Sequence, residues 1–133
     1  MSRPPIVVVM EENTMANAFV HVELNTTDVD KAKKFYGKLF EWTLEDLPAG
    51  EIPYTMIKVG KGTGGGIMKQ LIPGAPSFWL PYVEVAEIKA ATQKAKSLGA
   101  TIMKDVTEVM GMGWLSIITD PTGAILGLWQ TKT

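Results

Sequence analysis

His21 and Glu23 are the residues whose types and spacing could do chemistry. The chain of 133 residues has one histidine, and it stands two positions before a carboxylate in Phe19-Val20-His21-Val22-Glu23-Leu24. That stretch alternates apolar and polar residues with the period of a half-buried strand. Alternation puts His21, Glu23 and Asn25 on one face and Val20, Val22 and Leu24 on the other. An imidazole beside a carboxylate can share a metal, move a proton or hold a polar ligand. A buried Glu23 would have a raised pKa and could serve as a general base, whereas a hydrated or salt-linked Glu23 at a cleft mouth would be an ordinary carboxylate.

The same counts limit metal chemistry. One His and no Cys exclude a His–His pair within one chain, a Cys zinc site, an iron–sulfur cluster, a disulfide and a thiol nucleophile. A catalytic zinc needs three protein ligands and a hard cation needs several oxygens. His21 and Glu23 together fall short of either. Cysteine-free composition suits a reducing cytoplasm, the compartment we expect. The glycine-rich stretch Gly60–Gly66 lacks the Gly-x-x-x-x-Gly-Lys-Ser/Thr spacing, and no helix pattern follows it, so it reads as a hairpin loop and not as a phosphate cradle.

Charge narrows the partners. Thirteen Lys and Arg against fourteen Asp and Glu give a net charge of −1. Arg3 is the lone guanidinium, so neither a basic nucleic-acid footprint nor bidentate phosphate recognition is present. No apolar run approaches the ~20 residues that span a bilayer, and no membrane association is expected. Ile6–Met10 is too short for a signal-peptide core. It reads either as part of an N-terminal extension over residues 1–14, with the domain opening near Met15, or as an additional edge strand.

The elements that must position His21 and Glu23 follow from periodicity. After the first strand, Thr27 is the expected helix cap, with Asp28 and Asp30 favourable to the helix dipole. Val29, Ala32, Tyr36, Leu39 and Phe40 form the buried stripe of that helix. Strands are expected at Trp42–Leu44, Tyr54–Val59 and Ile67–Leu71. Residues 73–77, at the end of Ile72-Pro-Gly-Ala-Pro, form the clearest linker. The order then begins again: a strand over Phe78–Val85, a helix with the stripe Ile88, Ala91, Ala95 and Leu98 closed by Gly99, and strands at Ala100–Met103, Trp114–Thr119 and Ile125–Gln130. Asp120-Pro-Thr-Gly places Pro and Gly where a type I turn wants them. Sliding the chain by 59 residues superposes Asp28 on Glu87, Val29 on Ile88, Ala32 on Ala91 and Leu39 on Leu98. The fold class is therefore α+β: two tandem βαβββ modules, residues 15–72 and 78–133 of one structural domain, forming a curved mixed sheet around a cleft with helices outside.

His21-Val-Glu-Leu-Asn-Thr-Thr-Asp28, then Phe35-Tyr36 and Leu39-Phe40-Glu41-Trp42, resembles the opening module of the vicinal oxygen chelate superfamily. Asp120-Pro-Thr-Gly-Ala-Ile-Leu-Gly-Leu-Trp-Gln130 is similar to its closing hairpin. That superfamily includes glyoxalase I, extradiol dioxygenases, fosfomycin-resistance enzymes and bleomycin-resistance proteins. Trp79-Leu-Pro-Tyr82 resembles its small glyoxalase-like members. The resemblance implies four metal-ligand positions on the inner strands, and they fall here on His21, Gly66, Leu80 and Gly127. Of these His21 alone keeps a donor, so it is the single, weak metal candidate and no tightly held cofactor is expected.

Strand parity turns His21, Glu23, Leu80, Tyr82, Ile125 and Trp129 toward the cleft, with open space at Gly66 and Gly127. Trp114, Met56 and Met68 are candidates to join that wall. The expected ligand-binding set is His21, Glu23, Gly66, Tyr82, Trp114, Gly127 and Trp129, an apolar and aromatic wall with few polar anchors; the aromatics could equally fill a core. Met103, Met110 and Met112 could form a soft lid or a partner surface. Three functions are compatible: a metal-free binder of a small apolar or aromatic molecule; a lyase, isomerase or dioxygenase using His21 with Glu23 as candidate base; or a structural or regulatory dimer with its cleft packed shut. The resemblance also implies a homodimer.

Overall fold

A computed structural model describes residues 17–48 and 52–133. The expected extension over residues 1–14, with its Ile6–Met10 stretch, lies outside them. Ten elements follow in the order β1 (Phe19–Thr26), α1 (Val29–Leu39), β2 (Thr43–Leu47), β3 (Tyr54–Lys58), β4 (Gly65–Lys69), β5 (Phe78–Glu84), α2 (Ile88–Ser97), β6 (Thr101–Val109), β7 (Gly113–Thr119) and β8 (Ile125–Thr131). This is the doubled βαβββ order that the periodicity predicts.

The strands form one mixed sheet of eight, in the order β2-β3-β4-β1-β5-β8-β7-β6. Each module contributes four contiguous strands. Within each, the first strand runs parallel to the last, β1 with β4 and β5 with β8, because a helical crossover separates them. The modules join through antiparallel pairing of β1 with β5, which sets His21 against Tyr82 and Glu23 against Leu80. Pro81 lies inside this central strand, a position that usually needs an N–H. It is tolerated because the β5–β8 pairing begins one residue later, at Tyr82.

The helix-covered face carries two cores. Leu24, Ile57 and Ile67 pack with Val29, Ala32, Tyr36, Trp42 and Leu44 in module one. Ile88, Ile118 and Leu128 pack with Ala91, Ala95, Ile102 and Trp114 in module two. Several sequence expectations change, among them the bounds of β2 and β4, expected at Trp42–Leu44 and Ile67–Leu71. Asp28, not Thr27, is the N-cap of α1, its carboxylate accepting from Lys31 N at 3.0 Å; the Thr27 backbone N–H is already held by Ser77 Oγ at 3.0 Å. Leu39, Phe40 and Leu98, expected in the buried stripes, are exposed (55 %, 44 % and 69 %), because each sits at the very end or the C-cap of its helix. β6 runs on to Val109, well beyond Met103, through two register irregularities that keep it paired with β7. The Asp120 turn forms as expected: Gly123 N donates to Asp120 O at 2.9 Å and Gly123 adopts φ +100°, a conformation glycine takes without strain.

Candidate functional site

The site lies on the sheet face opposite the helices, across the seam between modules. β1 alternation and its register with β5 bring His21, Glu23 and Tyr82 together there. β3 brings Tyr54, which sequence reasoning missed as a site residue. Register places Met56 directly opposite Gly66, and Tyr54, two residues along, leans diagonally over the glycine.

Glu23 is the hub. It is 6 % exposed. Its Oε2 accepts from Tyr54 Oη at 2.9 Å, and its Oε1 accepts from Tyr82 Oη at 3.1 Å and from Asn25 Nδ2 at 3.2 Å. Tyr54 Oη also lies 2.7 Å from His21 Nε2. The Tyr54 hydroxyl has one proton and gives it to Glu23, so His21 Nε2 carries a proton and donates to Tyr54. The His21 ring stands edge-on to Tyr82, with centroids 5.9 Å apart.

Burial raises the Glu23 carboxyl above its ordinary value, and the hydrogen bonds from Tyr54, Asn25 and Tyr82 offset part of that rise. Burial also lowers His21, which favours the neutral ring. Both phenols are pushed far up, first by burial and then by the neighbouring Glu23 charge, so they remain protonated donors.

The space expected above Gly66 and Gly127 is filled. The Tyr54 ring covers Gly66 and the Tyr82 ring covers Gly127, so that a Cβ at either glycine would collide with the phenol; the Trp129 ring covers Gly113 in the same way. These glycines make room for large side chains of the chain itself. Met56 and Met68 share the Tyr54 face through the β3–β4 register. Trp129 and Ile125 share the Gly127 face by alternation along β8. Trp114 does not join them. It pairs with Gln130 on β7–β8 and packs in the helix-side core of module two, because its position is odd relative to the inward residues Leu115 and Ile117. Met103, Met110 and Met112 are exposed, on β6 and the β6–β7 turn.

The metal positions implied by resemblance do not assemble a donor set. Leu80 is buried and apolar, Gly66 and Gly127 offer no side chain, and among the described residues no group of three His, Cys, Asp or Glu side chains could hold an ion. The hydroxyls of both tyrosines are directed onto Glu23. The described residues at these positions do not fit a resident metal.

Fold order, pseudo-repeat and an inward-facing site at the module seam together define a class. A family model for the Glyoxalase/Bleomycin resistance protein/Dioxygenase superfamily matches residues 18–128, and the chain belongs to that superfamily. It is similar to "Putative glyoxylase CFP32" of Mycobacterium tuberculosis, with 37 % identity over 117 residues, 84 % of this chain and 44 % of that protein. It is also similar to the anthracycline biosynthesis protein DauV of Streptomyces sp. (strain C5), with 24 % identity over 125 residues, 81 % of this chain and 45 % of that protein. The chain thus spans less than half the length of these curated relatives. Among solved structures, methylmalonyl-CoA epimerase from Mycobacterium tuberculosis shares the fold, with a TM-score of 0.66 at 15 % identity over 86 % of this chain and 88 % of that one. Among the described residues, no helix is long and apolar enough to cross a membrane.

Proposed function

We propose that this chain is a small-molecule-binding member of the superfamily that works without a tightly held metal and takes an apolar or aromatic molecule against the His21–Glu23 face. One observation carries the reading: where the family's ligand positions fall, Tyr54 and Tyr82 fill the glycine space and direct both hydroxyls onto Glu23. A carboxylate already accepting three hydrogen bonds is an orienting group, not an open metal ligand. Trp129, Met56 and Met68 supply apolar surface around it, the usual make-up of a small-molecule wall. The name of the anthracycline biosynthesis relative supports a planar aromatic ligand. The protein acts as a homodimer in the cytoplasm, in keeping with the family resemblance and the absence of cysteine.

Titration with 1-naphthol, followed by tryptophan fluorescence, tests the reading. Saturable quenching that Trp129→Phe removes is the expected result; no response, or one unchanged in the variant, defeats it. Metal analysis of protein purified without chelator is expected to give well under one divalent ion per chain, and a stoichiometric ion would overturn the metal-free part. A second reading, a lyase, isomerase or dioxygenase using His21 and Glu23, is favoured by the buried carboxyl next to an accessible imidazole. Robust glyoxalase turnover with added Ni²⁺ or Zn²⁺ would put it first.

A further inference from the structure

We infer that His21, Tyr54 and Glu23 form a proton relay that presents the buried carboxylate at His21 Nδ1, and that the site thereby selects ligands carrying an acidic O–H, such as phenols and enols.

The geometry is a continuous line. His21 Nε2 lies 2.7 Å from Tyr54 Oη, and Tyr54 Oη lies 2.9 Å from Glu23 Oε2. Both spans suit proton transfer between positioned groups. Glu23 itself is sealed under Tyr54 and Tyr82. His21 is half-buried, and among the described residues its ring bonds through Nε2. Among the described residues no group is bonded to Nδ1, and Nδ1 is not a buried atom left without a partner. With Nε2 protonated, Nδ1 bears the lone pair. It is the position in the network at which a donor can arrive.

The step balances. A ligand O–H bond breaks and a bond from that proton to Nδ1 forms. The Nε2 proton passes to Tyr54 Oη, and the original Tyr54 proton passes to Glu23 Oε2. The ligand becomes an oxyanion, Glu23 becomes a neutral acid, and His21 changes tautomer without becoming charged. The negative charge leaves a buried position for one nearer water, which relieves the desolvation cost of the carboxylate. No cation is needed. The groups hydrogen-bonded to Glu23 are Tyr54 from β3, Tyr82 from β5 and Asn25 from β1; His21 joins through Tyr54, and all four are neutral. Elsewhere on this face by alternation, Lys58 of β3 is paired with Glu45 of β2 at 2.7 Å and Glu84 is exposed at the end of β5; β4 and β8 add no charged side chain there.

The relay is independent of the binding reading, but the ligand class rests on it, so the test has two arms. Because His21 is the single histidine, long-range ¹H–¹⁵N correlation spectra report its tautomer without assignment. In ligand-free protein, lowering the pH from neutrality should convert a neutral Nε2–H ring to a neutral Nδ1–H ring as the Glu23 carboxyl takes up its proton. In Tyr54→Phe, which keeps the ring over Gly66 and removes the hydroxyl, the ring should pass straight to imidazolium. Tyr82→Phe, which removes a Glu23 donor outside the line, should keep the switch. A fixed tautomer in the wild type, or the same switch in Tyr54→Phe, overturns the relay. In the second arm, 4-nitrophenol is added below its own ionisation pH. Wild type should develop phenolate colour on binding, and Tyr54→Phe should bind the compound uncoloured. Bound but uncoloured 4-nitrophenol in the wild type overturns the transfer. No binding overturns the ligand class, and the first arm still decides the relay.

Discussion

The two modules share one chain path and meet its demands differently. α1 satisfies its N-terminus locally, with the Asp28 carboxylate on Lys31 N. α2 has no side-chain cap from Glu87; Gln130, reaching from β8, accepts from Ile88 N at 2.8 Å. α2 buries Ile88 and Thr92 fully, while α1 buries no residue fully and is held by an aromatic group, with Tyr36 5.8 Å from Trp42 and 5.5 Å from Trp79 between ring centroids. The site is as uneven. Module one supplies His21, Glu23 and Tyr54, and module two supplies Tyr82. A duplicated backbone therefore fixes where side chains can meet and leaves each half free to use the place for packing or for chemistry.

The largest expected break in the comparison is in the module-one core. Ile67 is 0 % exposed, and Ile67→Ala should cost about 4 kcal/mol in urea unfolding; a loss under about 1 kcal/mol would mean that the sheet collapses around the void. In module two the matching weak point is polar. Thr92 Oγ1 donates to Ile88 O at 2.7 Å and lies 2.8 Å from Ser116 Oγ, itself 0 % exposed. Thr92→Val strands that buried hydroxyl and should cost about 2 kcal/mol, which Ser116→Ala in the same background should recover in part.

Glu23→Gln sharpens the contrast through pH. Burial holds the folded carboxyl above its ordinary 4.5, so between that value and the higher folded one the native state keeps a proton the unfolded chain has lost. Wild-type stability must therefore fall as pH rises through that window, and glutamine cannot ionise. The Tm of Glu23→Gln relative to wild type should climb from about pH 4 and then level off; a difference flat with pH would remove the buried-carboxylate argument. The smallest effect separates the caps. Asp28→Ala should lose about 1 kcal/mol, and Glu87→Ala should stay within about 0.3 kcal/mol, since it holds no backbone N–H.

The fold was legible because its signals are local. Short apolar runs, alternating in β1, mark the strands, apolar stripes at 3–4-residue spacing mark the helices, and Asp120-Pro-Thr-Gly marks the last turn. Strand parity also gave the faces of His21, Glu23, Tyr82 and Trp129. Trp114 differs because its parity with Ser116 and Ile118 puts it under α2, in the helix-side core. Tyr54 escaped for a different reason: its reach to Glu23 is diagonal across β4 and depends on Gly66 being empty, a relation between residues 23, 54 and 66 that no single window contains. The glycines carried that signal, and it read as room for a visitor where a phenol of the chain itself lies.

The antiparallel ladder from Phe19 to Asn25 against β5 has a mechanical consequence. It welds the halves into a single plate, so a clamshell motion about the seam would have to tear main-chain bonds at its centre. Amide exchange should be slowest along the weld and fastest at the two outer strands, β2 and β6.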